Sequence, residues 1–257
     1  MTQMFVDTHS HIYSEEFSTD RAEAVSRARK VGVNRIILPN IDSSSIKPML
    51  DLTDSEPGYF LPLIGLHPTS VKEDFRKELE IIEYWLAKRK FYGIGEIGID
   101  LYWDKTFLTE QIEAFRVQID WAKELKIPIA VHVRDSFDEV MEVLQEKKDV
   151  SLKGVFHSFT GTIEQANQII ELGFKIGLGG IVTFKKSGLD FVVPEIGLQN
   201  ILLETDSPWL APVPHRGHRN ECSYLPSIAS KVAELHNINI EKVAQVTSKN
   251  AQELFGF

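Results

Sequence analysis

Short apolar runs alternate along the chain with longer stretches in which apolar residues recur every three or four positions. Eight runs read as strands: 4–11, 35–40, 60–68, 92–100, 128–133, 154–159, 174–180 and 201–206. Their Val, Ile, Leu and Phe content suits parallel strands, and the chain between them is long enough for crossover helices. Ile112, Phe115, Ile119 and Ala122 share one helical face, as do Phe137, Val140, Met141 and Leu144. Strand and helix alternating eight times predict a closed α/β architecture, a (β/α)8 barrel. The seventh unit is the weakest, because 187–194 is short and Gly177, Gly179 and Gly180 interrupt its strand. Residues 207–222, with Pro208, Pro212 and Pro214 and no periodicity, predict a long loop after the last strand, a usual place for function.

The length of 257 residues fits one barrel domain over 1–257, and no linker or low-complexity tract divides it. Hydrophobic residues at 43% and charged residues at 25% exclude disordered, collagen-like and coiled-coil classes. The chain shows no signal-peptide pattern and no apolar stretch of about 18 residues, so the expectation is a soluble cytoplasmic protein without a membrane partner. No obligate protein partner is evident either. The single cysteine, Cys222, excludes an intrachain disulfide and a thiolate-rich metal site. With no partner in view, it reads as a small packed residue rather than a nucleophile. A formal charge of −9 argues against broad electrostatic association with nucleic acid, so such a substrate needs local attraction.

Barrel active sites lie at the C-terminal mouth of the strands, which gives weight to polar residues at strand ends. Five of the eight histidines, His9, His11, His67, His132 and His157, fall there with Glu96, Asp100 and Asp206. Chance would place about one histidine at such ends, taking about four positions per strand. A lone strand histidine is more often a hydrogen-bonded structural residue, but the combined set reverses that expectation. Asp7, His9 and His11 share one face of an extended first strand, turning two imidazoles to a common centre. Four histidines, Glu96 and Asp206 suffice for one or two divalent ions such as Mg, Mn or Zn, with Glu96 placed to bridge. Two such ions activate water and neutralise oxygens in phosphoryl displacement, and Asp206 is the candidate proton acceptor. His67, in Gly65-Leu66-His67-Pro68, is a candidate to touch substrate phosphate or to cap the turn before Pro68. Arg134, Arg216 and Arg219 are candidates for forked bonds to phosphate. Lys185 and Lys186 read as solvated, and Glu204 as support for Asp206 or as packing.

The stretches Asp7-Thr8-His9-Ser10-His11, Gly65-Leu66-His67-Pro68, Gly95-Glu96-Ile97-Gly98-Ile99-Asp100, His132-Val133-Arg134, His157-Ser158-Phe159-Thr160-Gly161 and Glu204-Thr205-Asp206-Ser207-Pro208 together resemble the TatD-type metal-dependent deoxyribonucleases, a branch of the amidohydrolase-like barrels. The resemblance runs from Phe5 to Phe255. It implies one metal on His9, His11, Glu96 and Asp206, and a second on Glu96, His132 and His157. It further implies exonucleolytic hydrolysis of DNA phosphodiesters and a phosphate-facing role for Arg216-Gly217, and it leaves RNA and tRNA open as substrates. One departure is visible: the family pattern Arg-Gly-x-x-Asn-Glu-Pro meets Cys222 here in place of proline, which bears on loop stiffness and not on the metal ligands.

Two rivals stand beside this reading. An amidohydrolase cleaving a C–N or ester bond would use the same centre. Such enzymes often bridge their metals with a carboxylated lysine, whereas the fourth strand offers Glu96 and no lysine, and Arg134 and Arg216 favour an anionic substrate. A non-catalytic barrel with a vestigial site fits poorly with all six ligand-type residues being present.

Overall fold

The computed structural model describes residues 4–257; the first three residues of the expected domain lie outside them. Eight parallel strands are present: β1 Phe5–Asp7, β2 Val33–Leu38, β3 Phe60–Pro62, β4 Ile94–Asp100, β5 Ile129–Arg134, β6 Gly154–Phe156, β7 Lys175–Leu178 and β8 Ile201–Leu203. They hydrogen-bond in chain order as two ladders, β1 to β3 and β4 to β8. Two seams join the ladders. Ile64 bridges Ile94, with Gly95 N–H donating to Ile64 O at 2.9 Å. Ser10 bridges Ser207, with Thr8 N–H to Leu203 O at 3.0 Å and Asp206 N–H to His9 O at 2.8 Å. The sheet is thereby closed into the expected (β/α)8 barrel.

Most strands are shorter than the apolar runs that announced them. The runs 4–11 and 60–68 leave the continuous ladders after Asp7 and Pro62 and go on through isolated bridges, Ser10 to Ser207 and Ile64 to Ile94, on the stretches that carry His9, His11 and His67. These extensions remain pinned: His11 N–H donates to Ser207 O at 2.8 Å and His67 N–H to Ile41 O at 2.7 Å.

The crossover helices are α1 Arg21–Lys30, α2 Ser43–Ser55, α3 Phe75–Leu86, α4 Leu108–Leu125, α5 Phe137–Glu146, α6 Ile163–Glu171 and α7 Leu189–Val192, with α8 Leu225–His236 and α9 Ile240–Phe255 after the last strand. Capping boxes, Asp42 with Ser45 and Thr162 with Gln165, satisfy the first amides of α2 and α6. Phe115, Ile119 and Ala122 of α4 and Val140, Met141 and Leu144 of α5 are buried against the sheet, as their spacing predicts. The weak seventh unit is a four-residue helix among short 3-10 turns. An inner apolar cluster takes Val6, Ile37, Leu61, Ala130, Val155 and Leu202 from six of the strands, and Ala251 and Phe255 of α9 pack onto it. The larger core lies between the strands and the helices. Among the described residues no helix is long and apolar enough to cross a membrane.

Candidate metal centre

The mouth of the barrel gathers the polar ends of β1, β4, β5, β6 and β8 around Glu96. Its backbone is fixed on β4, where Glu96 N–H donates to Asn40 O at 3.1 Å, and Asn40 N–H to Gly95 O at 3.0 Å. Its two oxygens face different partners. Oε2 lies 3.0 Å from His9 Nε2 and 3.5 Å from His11 Nε2. Oε1 lies 2.7 Å from His132 Nδ1, 2.7 Å from His157 Nε2 and 3.1 Å from His67 Nε2. Asp206 Oδ1 closes the first side, 3.8 Å from His9 Nε2 and 3.9 Å from His11 Nε2. His9, His11, Glu96, His157 and Asp206 are all buried. Three overlapping triads result, His9 with His11 and Asp206, His9 with Glu96 and His157, and His67 with Glu96 and His132.

The donor set fits divalent ions. The nitrogens of His9 and His11 stand 3.2 Å apart, and those of His132 and His157 3.3 Å. Two nitrogens sharing one tetrahedral ion at about 2.0–2.1 Å are separated by about 3.3 Å. Imidazole and carboxylate donors match Zn and Mn, and the carboxylates extend the range toward Mg.

Neighbouring groups set which ring nitrogen points inward. His132 Nε2 donates to Asp100 Oδ2 at 2.9 Å, leaving the Nδ1 lone pair for the centre. His11 Nδ1 donates to the Tyr13 hydroxyl at 3.0 Å, and that hydroxyl donates to Pro39 O at 2.7 Å, so the Nε2 lone pair of His11 faces inward. His67 Nδ1 accepts from Thr69 N–H at 3.1 Å, capping the turn Pro68–Ser70, which leaves Nε2–H to donate to Glu96. His157 stacks on His9, with ring centroids 3.9 Å apart, and its Nδ1 is 3.5 Å from Glu204 Oε1. Glu204 accepts from Ser158 N–H. Gly177 makes room for it, since a β-carbon there would collide with the Glu204 carboxylate. Gly98 is likewise dictated: its φ is +142°, and a β-carbon would strike the His132 carbonyl.

The electrostatics follow from burial and from crowding around one carboxylate. Burial would raise the Glu96 pKa, but His157, His67 and His9 hold it well below the usual carboxylate range. Burial and the proximity of His157 push His9 well down. Burial also opposes charge on His157 and His132, yet the carboxylates beside them win and both pKa values are raised. Asp206 is pushed up to about 8 by burial, against the pull of His157. Arriving positive charge would favour its ionised form.

The structure brings His9, His11, His67, Glu96, His132, His157 and Asp206 together. The period-two pattern that put Asp7 on their face breaks where β1 ends. Asp7 instead accepts from Thr205 N–H at 2.9 Å and Thr205 Oγ1 at 2.6 Å, tying β1 to β8. Burial lifts its pKa to about 7. Arg134, the last residue of β5, and Arg216, in the loop after β8, are exposed, and among the described residues neither joins an ion pair. Arg219, the third arginine expected at phosphate, is placed differently. Its Nη1 and Nη2 donate to Asp20 at 2.7 and 2.8 Å and its guanidinium lies over Phe17, an ion pair set by the closeness of α1. Lys185 and Lys186 are exposed. Cys222 is buried with Sγ 3.2 Å from Ser10 Oγ, and burial pushes its thiol pKa well up, the opposite of a nucleophile's need. Tyr13 and the Asp100 contact to His132 went unnoticed in sequence. Tyr13 continues the alternation His9, His11, Tyr13, a signal that was available.

The family model described as TatD related DNase matches residues 6–256. A metal-dependent hydrolase of Bacillus subtilis (strain 168), YabD, is 37% identical over 253 residues, covering 98% of this chain and 99% of the relative. A Pantoea ananatis protein named 3'-5' ssDNA/RNA exonuclease TatD is 29% identical, covering 97% of this chain and 98% of its own. The crystal structure of the TatD homologue YjjV from Escherichia coli K12 superposes with a TM-score of 0.93 at 28% identity over 100% of both chains. With a matching barrel, a matching sequence over almost its whole length and a mouth built to hold metal ions, the chain belongs to the TatD-related DNase family of metal-dependent hydrolases.

Proposed function

We propose that this chain hydrolyses phosphodiester bonds of DNA from an end, as an exonuclease-type deoxyribonuclease using two divalent ions. The observation that carries the proposal is the division of Glu96, whose Oε2 faces His9 and His11 while Oε1 faces His132 and His157. In this reading His9, His11, Glu96 and Asp206 hold one ion, and Glu96, His132 and His157 the other. The ions, when bound, polarise a phosphoryl oxygen and make water a stronger nucleophile at neutral pH. Asp206 supplies the carboxylate that takes the proton from the attacking water. His67 keeps its Nε2–H directed at the centre by accepting at Nδ1 from Thr69, and serves as a neutral donor to a substrate oxygen. Arg134 and Arg216 offer free forks of donors to the flanking phosphates. The name of the Pantoea relative supports nucleic acid as substrate and includes RNA.

The test is nucleotide release from 3′-labelled single-stranded DNA by metal-stripped enzyme, with and without Mg²⁺, Mn²⁺ or Zn²⁺ and with Asp206→Asn as control. Metal-dependent release that the variant lacks supports the nuclease. No release with any ion moves the assignment to an amidohydrolase acting on a C–N or ester bond.

A further inference from the structure

Immediately after β4 the chain exposes two large aromatic rings in succession, Tyr102 at 54% and Trp103 at 69%. Exposed aromatics are ordinary one at a time, but this pair is held in place. The backbone amides of both residues donate to Asp100 Oδ1, at 3.0 and 3.2 Å. The other oxygen of the same carboxylate accepts from His132 Nε2 at 2.9 Å. One buried carboxylate therefore fixes the aromatic loop and a metal-facing imidazole in register. The rings stand edge to face, with centroids 5.0 Å apart and an interplanar angle of 87°. The Arg134 guanidinium covers Tyr102 at 3.8 Å from its centroid and lies 5.2 Å from that of Trp103. Arg134 is itself fixed by backbone pairing, since Leu101 N–H donates to Arg134 O at 2.9 Å. A guanidinium stacked on a ring keeps its in-plane N–H groups free for a phosphate.

Resting on the phosphodiester reading above, we propose that Trp103, braced by Tyr102 and Arg134, is a stacking platform for one unpaired nucleobase next to the bond that is cut. Aromatic platforms beside cationic groups bind single strands without reading sequence, because every base offers a face. A base inside a duplex has both faces occupied by its neighbours, so the platform selects single-stranded ends over blunt duplex ends. It also answers the problem set by a net charge of −9, since stacking adds affinity that long-range attraction does not supply.

The test is a cycle of protein and substrate changes. KM and kcat are measured for a 3′-labelled single strand and for the same strand with abasic sugars at its two 3′-terminal positions, using wild type, Trp103→Ala, Trp103→Phe and Tyr84→Ala. Tyr84 is an exposed ring on α3, away from this loop. The expected result is a KM penalty of about tenfold for the abasic strand with wild type, the loss of about one stacked base. The penalty collapses to near unity in Trp103→Ala, returns in Trp103→Phe and persists in Tyr84→Ala. An equal penalty in Trp103→Ala and wild type, or none in wild type, overturns the platform. Fluorescence anisotropy of the same strands on the same proteins repeats the comparison without turnover. Failure of the nuclease reading, seen as no release by wild type, is thus distinguishable from failure of the platform, seen as an unchanged cycle.

Discussion

Glu96 is the side chain on which both halves of the centre depend, because its two oxygens serve different histidines. On the proposed two-ion reading, replacing it by alanine removes the shared ligand, so bound metal is expected to fall from two ions per chain to one or fewer and turnover by several orders of magnitude. Metal analysis after gel filtration, alongside kcat on labelled DNA, checks both, and a Glu96→Ala protein with full activity refutes the bridging assignment. Residues of this kind were legible in sequence because histidine and carboxylate at strand ends are chemically conspicuous. His9 and His11 were found by alternation, and the same alternation misled at Asp7, where the strand stops and the side chain turns to Thr205. The Asp100 contact was hidden for another reason. It depends on His132, far along the chain, and no local pattern encodes that meeting, whereas Tyr13 lies two residues past His11 in the same alternation.

At the scale of elements, the loop after β8 is attached to α1 by charge. Arg27 pairs with Asp20 and Glu221, and Arg219 pairs with Asp20, so two arginines and two carboxylates tie loop to helix. Sequence reading found the loop and its arginines but not this division of labour, because the proximity of α1 exists only in the closed barrel. Arg219→Ala is expected to cost about 1 kcal/mol or less, as the pairs are partly solvated, and to leave metal content unchanged. Arg134→Ala is expected to raise KM for DNA with little effect on stability. The Arg219 hydrogen bond holds the Asp20 pKa down at about 2, from an ordinary value of 3.8. The clamp's contribution is therefore fully present above about pH 4 and lost as pH falls toward about 2. Denaturant unfolding of wild type and Arg219→Ala at pH 7 and pH 3 should show the difference narrowing at the lower pH. A gap that stays constant assigns Arg219 a packing role on Phe17 instead. The strands themselves were placed well and bounded poorly, since 4–11 and 60–68 run on past their ladders into residues that belong to the site.

Across the whole molecule, the barrel concentrates five imidazoles and two carboxylates at one end, and this has a consequence for stability. Bringing them together without a cation leaves buried groups in the wrong protonation state for binding: Asp206 keeps its proton up to about pH 8, and the raised pKa values of His132 and His157 favour imidazolium. Metal binding must expel those protons, so affinity rises with pH. Asp206 also bears on the metal-stripped fold. It holds a proton that the unfolded chain releases near 3.8, so this group's contribution to stability falls as pH climbs from about 4 to about 8. This is the same linkage seen from the other side, since the proton the stripped fold keeps is one the metal must displace, and the gap between loaded and stripped protein widens as pH rises. Metal at about a thousand times its dissociation constant adds about 4 kcal/mol, which for a domain of this size moves the melting temperature by about 8–16 °C. Calorimetry with and without chelator should find that shift near pH 8 and a clearly smaller one near pH 6. A shift that is the same at both values, or larger at pH 6, would mean that the protons on Asp206 and the histidines do not compete with the metal, and that the ions sit elsewhere than on this cluster.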